Sequence, residues 1–224
     1  EKSKRTFYTV TPIYYQHICY GYCVSDGSLF ALKSELSYLW TVNIGMALEN
    51  IRKWQWINRM NEKINRMWKY DMLTQVLNRS GFFYCAETIL QKIKEEKSNA
   101  FIIFLDIDGL KSVNDNLGHE IGDAFIAKIA GILKEVVPKD CLIMRYGGDE
   151  FVVFGSCKQA GRMQRIAEDI KAAIKTADQK ENRSYHLAAS LGCSLHKSYE
   201  MDNLNSLIEL ADKKMYEEKK NKRR

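Results

Sequence analysis

No stretch of this 224-residue chain approaches the uninterrupted apolar run of about 20 residues that a membrane-spanning helix requires. The opening residues EKSKRTFYTV carry charges with no apolar core after them, so they do not resemble a signal peptide. They lead directly into strand-like sequence, as a fragment of something longer would. The six cysteines, at 19, 23, 85, 141, 157 and 193, lack the spacing of a metal site. Only Cys19 and Cys23 lie close together, with His17 beside them, which is too few ligands too loosely spaced. Buried free thiols in a reducing, cytoplasmic setting are expected instead. Strong charge is absent too: the net value is +6, concentrated in KKMYEEKKNKRR and along residues 52–69. Such runs are solvated helix faces, and they do not argue for a nucleic-acid partner or a membrane surface.

What is present is an ordinary globular composition, 46% apolar and 28% charged, in a chain long enough for one well-cored domain and a smaller piece, or for one large domain. Residues 6–24, rich in β-branched and aromatic side chains, read as two strands of a sheet that this sequence does not complete. Residues 31–70 then contain no proline and a single glycine, Gly45. Apolar residues recur there at Leu36, Trp40, Ile44, Ala47, Ile51, Trp54, Ile57, Met60, Ile64 and Met67. That rhythm predicts one helix with one apolar seam, about 60 Å long at about 1.5 Å per residue. A coiled coil joining a sensor to an effector fits such a helix, and so does a helix folded back on its own domain.

The rhythm changes after Asp71. A helix is expected over 79–97, a buried strand over 100–107 and a helix over 119–136. Two strands, 141–146 and 151–154, flank the compact Gly147-Gly148-Asp149-Glu150, which reads as a hairpin. A helix over 158–178, a strand near 185–195 and a helix over 204–220 follow. The fold class is therefore α+β, a ferredoxin-like (palm-like) βαββαβ sheet with flanking helices, preceded by the long helix and the short β segment. That plan is shared by unrelated proteins and assigns no function.

Four acidic residues fall where strands end. Asp106 and Asp108 lie at the carboxyl end of the first core strand, on one face if it stays extended, and Asp149 and Glu150 lie in the hairpin. If the hairpin neighbours that strand, Asp106 and Asp149 converge. Carboxylates so close need a cation, and hard oxygens at an open site suit Mg²⁺ holding nucleotide phosphates.

These residues carry a specific resemblance. RYGGDEF at 145–151 is the full signature of the GGDEF family of diguanylate cyclases, and LDIDGLKSVNDNLGHEIGDAF at 105–125 is similar to its DxDxFKxxND…GHxxGD block. DMLTQVLNR at 71–79 resembles its opening DxLTxLxNR element. Ser190-Leu191-Gly192 matches its SxG strand, and residues 211–223 resemble its closing ADxAMYxAKxxGR helix. TPIYYQHICYGYCV, farther upstream, resembles the closing hairpin of a GAF-like sensor. The resemblance implies three parts: a sensor remnant over 1–30, a signalling helix over 31–70 and a cyclase domain over 71–224.

It also implies roles. Asp106, Asp149 and the carbonyl of Ile107 would hold Mg²⁺, with Mn²⁺ able to substitute. Asp149 would also act as the family's base toward the ribose 3′-hydroxyl, although a metal-bound carboxylate is a weak base and activation by the metal is the larger effect. Glu150 belongs to the motif with no assigned task. Lys111 would stabilise charge on the phosphates. Asn114 and Asp123 would read guanine, whose donor edge suits an Asp carboxylate, so GTP is the expected substrate. His119 matches a substrate contact, and a structural hydrogen bond at a helix start would explain it equally well. Lys219 and Arg223 match residues that touch the triphosphate, with a solvated tail as the plainer alternative.

Departures are few. Leu110 replaces the usual phenylalanine before Lys111, and Lys222 replaces a glycine beside Arg223. Where many members carry an RxxD product-inhibition site, this chain has Pro138-Lys139-Asp140-Cys141, so feedback inhibition is not expected. The expectation is a homodimeric, Mg²⁺-dependent cyclase making cyclic di-GMP and pyrophosphate, governed by an upstream sensor. A catalytically silent nucleotide-binding module acting through protein contacts is the alternative.

Overall fold

A computed structural model describes residues 8–26, 34–159, 161–180, 185–197 and 204–222. The chain divides into two compact units, Glu1–Ile64 and Asn65–Arg224.

In the first unit, strands β1 (Tyr8–Tyr15) and β2 (Ile18–Asp26) pair antiparallel, with a register shift between Ile13 and Tyr14. Helix α1 (Ser34–Lys69) begins in this unit and is continuous past its end, so the expected long helix is present at 36 residues. Residues 31–33 of the expected span lie outside the described residues. Thr41, Gly45 and Glu49, spaced by four, form the buried line of the helix. A Cβ at Gly45 would come within 2.4 Å of the Tyr14 carbonyl oxygen, so only glycine permits this crossing. Buried Glu49 accepts from the Tyr20 hydroxyl and from Arg52 Nε at 2.7 Å. The hydrogen bond from Arg52, reinforced by Tyr20, holds the Glu49 pKa down at about 2. The apolar seam itself stays outside this packing: Trp40, Ile51, Trp54, Ile57 and Ile64 are all exposed.

The second unit is built on β3 (Asn99–Ile107), β4 (Leu142–Arg145), β5 (Glu150–Cys157) and β6 (Ala189–His196), in the spatial order β4-β5-β3-β6. Every neighbouring pair is antiparallel, which is the ferredoxin-like arrangement expected from the element order. The helices are α2 (Arg79–Glu95), α3 (Leu110–Leu117), α4 (His119–Val136), α5 (Arg162–Lys180) and α6 (Leu204–Lys222). Because side chains alternate along a strand, β3 feeds two cores. Phe101, Ile103, Leu105 and Ile107 join α4 and α5 on one face. Ala100, Ile102 and Phe104 join α2 and α6 on the other. Burial on both faces explains why β3 reads as a continuous apolar run.

Two details depart from the sequence reading. The helix expected over 119–136 is preceded by a separate short helix, α3, and Gly118 at φ +89° makes the break between them. That left-handed backbone favours glycine. The expectation of uniformly buried thiols also fails. Cys141 and Cys157 are buried, but Cys19 is exposed and Cys23, Cys85 and Cys193 are intermediate, all six being free. Among the described residues no helix is long and apolar enough to cross a membrane.

Candidate active site

The register of the sheet places the acidic residues. Asp106, the penultimate residue of β3, lies directly opposite Glu150 on β5 and Ser190 on β6. Asp106 and Glu150 fall in the even-numbered sets of their strands, which face α2 and α6. Two like charges directly opposite on one face of a sheet are destabilising unless neutralised. Asp149 precedes the strand, and its carbonyl accepts from the Ile107 amide at 3.0 Å, which pins the hairpin to the end of β3.

Electrostatics reports the crowding. Burial pushes the Asp106 carboxyl up, the Lys219 ammonium pulls it back, and the charges of Asp149 and Asp108 raise it again. Burial likewise pushes Glu150 up, followed by the charges of Asp149, Asp106 and Asp212. Lys219, on the last turns of α6, hydrogen-bonds Asp106 Oδ1. Asp106, Glu150, Asp212, Met215, Tyr216, Lys219 and Lys220 line a cleft of about 250 Å³. Asp212 was not anticipated from the sequence. It lies two turns before Lys219 on the same helical face, so the i, i+7 spacing within the closing helix was the available signal.

Helix α6 reaches the cleft because β6 lets its backbone approach. A Cβ on Gly192 would meet the Ala211 carbonyl oxygen at 2.1 Å and the Met215 amide nitrogen at 2.2 Å. The glycine of the SxG strand is therefore a seat for the helix that carries Asp212 and Lys219.

The hairpin is braced from behind. Arg145 donates from Nε to the carbonyls of Gly147 (3.2 Å) and Gly148 (3.1 Å), and from Nη2 to Gly148 at 2.7 Å. Its Nη1 binds both carboxylate oxygens of Asp71, at 3.1 and 3.2 Å. Asp71 also accepts from the Thr74 amide and hydroxyl. Burial alone would raise its carboxyl, but these donors and Arg145 together hold it below its ordinary value. Asn78 caps α2 by accepting from Gly81 N at 2.8 Å, and its amide donates to the carbonyl of Trp68 at 2.9 Å. The DMLTQVLNR and RYGGDEF elements are thus one hydrogen-bonded assembly at the end of α1.

The remaining expected residues form a second group on α3 and α4. Asn114 is half-buried, and its Oδ1 is buried with no hydrogen-bond partner. It lies against Gly122, where a Cβ would stand 1.8 Å from that oxygen, so a side chain at 122 would displace it. Asp123, adjacent in sequence, is exposed, as are Lys111 and His119. None of these four lines the carboxylate cleft. Asp108 also leaves the cluster. It lies beyond the end of β3, donates its amide to Ala188 O at 2.9 Å, and accepts from the Ser190 hydroxyl at 2.8 Å. The extended geometry that would have kept it beside Asp106 ends at Ile107, and Gly109 at φ +80° turns the chain into α3. Arg223 lies outside the described residues.

The residues present suit a divalent cation on donor chemistry. Two opposed carboxylates and a third nearby offer hard oxygens with excess negative charge, and one lysine offsets only part of it. Among the described residues no three His, Cys, Asp or Glu groups form a preformed metal cage.

An antiparallel ferredoxin-like sheet with an acidic hairpin at the end of its central strand defines a palm-like domain. The model of the family "Diguanylate cyclase, GGDEF domain" matches residues 68–224, and the chain belongs to that family. Diguanylate cyclase A of Treponema denticola is 29% identical over 199 residues, covering 87% of this chain and 53% of that protein. Diguanylate cyclase VdcA of Vibrio cholerae is 32% identical over 168 residues, covering 73% of this chain and 48% of that protein. The chain thus spans about half the length of these curated relatives. Among solved structures, the coiled coil and GGDEF domain of DgcB from Caulobacter crescentus, in complex with c-di-GMP, superposes with a TM-score of 0.70. It is 23% identical, covers 79% of this chain and 94% of that one, and establishes likeness of fold.

Proposed function

We propose that this chain is a diguanylate cyclase that condenses two GTP molecules into cyclic di-GMP with release of two pyrophosphates. The observation that carries the proposal is the opposed pair Asp106 and Glu150, with Asp149 beside them, inside a matched GGDEF domain.

Two copies meet face to face, each holding one GTP. The 3′-oxygen of each ribose forms a bond to the α-phosphorus of the opposing GTP, the bond from that phosphorus to the pyrophosphate oxygen breaks, and the hydroxyl proton leaves. In this reading Asp149 is the group that takes that proton. Magnesium, or manganese in its place, held by Asp106, Asp149 and the Ile107 carbonyl, would supply neutralisation of the phosphates and acidify the hydroxyl. Lys111 balances charge on the phosphates, with Lys219 and Arg223 contacting them from the closing helix. Asn114 and Asp123 read the guanine edge, and the unpartnered Asn114 oxygen supports this, because it needs a donor that guanine has. His119 adds a contact at the start of α4. Positioning and charge neutralisation supply most of the acceleration, as in other phosphoryl chemistry.

Dimerisation belongs to this mechanism, because each copy offers one nucleotide site. The exposed seam of α1 supports pairing between two copies, under the control of a sensor upstream of residue 30 and in the cytoplasm. Product feedback is absent. At the RxxD position Asp140 is already engaged by Arg162 Nη2, with both oxygens at 2.7 Å, and Cys141 is buried.

The test is mass spectrometry of the products made from GTP and Mg²⁺ by concentrated protein, beside Asp149→Ala. Cyclic di-GMP from the parent alone supports the cyclase. GTP bound without product, at every protein concentration, overturns it in favour of a silent nucleotide-binding module. For the feedback claim, product is titrated against the parent. Tight cyclic di-GMP binding that a change at residues 138–141 abolishes refutes it.

A further inference from the structure

Lys219 has a partner that its expected role does not explain. A lysine that contacts a triphosphate has no need of a carboxylate, yet its ammonium is bonded to Asp106. Only 21% of the Lys219 side chain and 12% of the Asp106 side chain are exposed, so the pair is largely withdrawn from water. Asp106 is also the residue through which a divalent cation would be held. A cation held by Asp106 would compete with the ammonium for the same oxygen.

We infer that Lys219 is a displaceable internal counterion. It occupies the cation's place on Asp106 while the site is empty and moves to the nucleotide's phosphates when cation and GTP arrive together. The inference rests on the reading of Asp106 as a metal ligand. Lysine suits the task because its charge is a point at the end of a flexible four-carbon stem. Helix α6 aims it, since Asp212, Met215 and Lys219 share one face that Gly192 seats on the sheet. Its neighbour Lys220 stands over the Tyr216 ring at 4.5 Å and is committed elsewhere. A single positive charge against Asp106, Asp149 and Glu150 leaves an excess that a divalent ion relieves better, but the ion must first evict the lysine. The consequence is reciprocal coupling: cation alone binds weakly, and the nucleotide, by drawing Lys219 to its phosphates, tightens the cation site.

The experiment measures Mn²⁺ binding to the full chain by electron paramagnetic resonance of the free ion, without nucleotide and then with α,β-methylene GTP. The parent, Lys219→Gln, Lys219→Arg and the double variant Lys219→Gln with Asp106→Asn are compared, with thermal melts confirming that each folds. Without nucleotide, Lys219→Gln should bind Mn²⁺ about 10-fold more tightly than the parent, within the usual range of coupling between sites. Lys219→Arg should stay near the parent, and the added Asp106→Asn change should remove the gain. The nucleotide should tighten Mn²⁺ binding in the parent more than in Lys219→Gln. Equal or weaker Mn²⁺ binding by Lys219→Gln overturns the inference, even where the parent makes cyclic di-GMP. If the parent makes none but the gain appears and depends on Asp106, the counterion exchange stands and the proposed activity falls.

Discussion

In the sheet unit, Phe82, Phe101, Phe104, Phe125, Phe151 and Phe154 are all sealed from water, and each strand face has helices to cover it. In the helix and hairpin unit, Tyr8, Tyr22, Trp40, Trp54 and Trp56 stand more than half exposed. Composition does not explain the contrast, since both are rich in large apolar residues. One unit has closed layers on both faces of its sheet. The other has two strands and a helix whose polar line at Thr41, Gly45 and Glu49 is the buried one. A long apolar seam left in solvent marks a surface for association, while the sealed unit holds the chemistry. On the proposed reading the chain divides its labour accordingly: the first unit would offer contacts and the second a site.

The sharpest way to break this division is to damage the first unit and watch the second. Trp54→Glu removes an exposed aromatic from the seam and should leave the melting of the sheet unit unchanged. Loss of one aromatic anchor from a dimer interface costs about 2–4 kcal/mol, or roughly 30- to 1,000-fold in dimer dissociation. Sedimentation should show the dimer lost, and product formation per chain should fall at low protein concentration and recover at high. Unchanged product with a monomeric variant would end the claim that the seam serves the reaction.

The converse variant damages the sealed unit alone. Gly192→Ala sets a methyl group against the backbone of α6, at 2.1 and 2.2 Å from Ala211 and Met215 before anything yields. Overpacking of this kind should cost about 3 kcal/mol in chemical denaturation. Product should fall with stability, because α6 carries Lys219 to the cleft, while self-association through α1 should persist.

How far the site was legible depended on whether its parts are local or assembled by packing. A buried run and a hairpin leave few ways to pair, which predicts that Asp106 meets Asp149; the register sets Asp106 directly opposite Glu150, with Asp149 just before the strand. Asp212 was hidden because α6 brings it in across the sheet, and what licenses that approach is a glycine on another strand. The separate helix α3 was missed although its signal was present: Gly118 stands between two stretches of helical periodicity, and a left-handed backbone there ends one helix and begins the next. Asp108 was misplaced because alternation along a strand holds only while the strand lasts, and β3 ends one residue earlier. The hairpin's brace was legible only as two separate motifs. That Arg145 spans from Asp71 to the Gly147 and Gly148 carbonyls is a tertiary fact.

That brace supplies the third prediction. Asp71→Asn keeps an acceptor for Thr74 but leaves the Arg145 guanidinium, with 16% of its side chain exposed, without its counterion. A cost of about 1–2 kcal/mol is expected for a partly buried charged hydrogen bond. Because Asp71 titrates below its ordinary value, its contribution is present above that value and is lost as pH falls through the lowered one. The stability gap between parent and variant should therefore be full at neutral pH and close on acidification. A slower product rate at equal stability would show that the brace also positions the hairpin.

The smallest effect has the opposite sign. Glu150 titrates above its usual 4.5, first because it is buried and then because Asp149, Asp106 and Asp212 repel it. A carboxyl raised on folding adds its full stability below its unfolded value and loses it as pH rises through the folded one. At neutral pH the ionised Glu150 therefore works against the fold. Glu150→Gln should raise the melting temperature of the metal-free protein by about 1–3 °C at pH 7, judged from the usual sensitivity of a domain this size. The advantage should shrink as pH falls through and below the ordinary glutamate value, where Glu150 becomes protonated in both states, and Asp106 should retain part of the acid dependence because burial raises it as well. In the same variant the product assay should lose signal, because the charge that strains the empty cleft is part of what a cation and a triphosphate would find there. A variant less stable than the parent at pH 7 would mean that Glu150 is neutralised within the chain itself, and the seat of excess charge would have to be sought at Asp149.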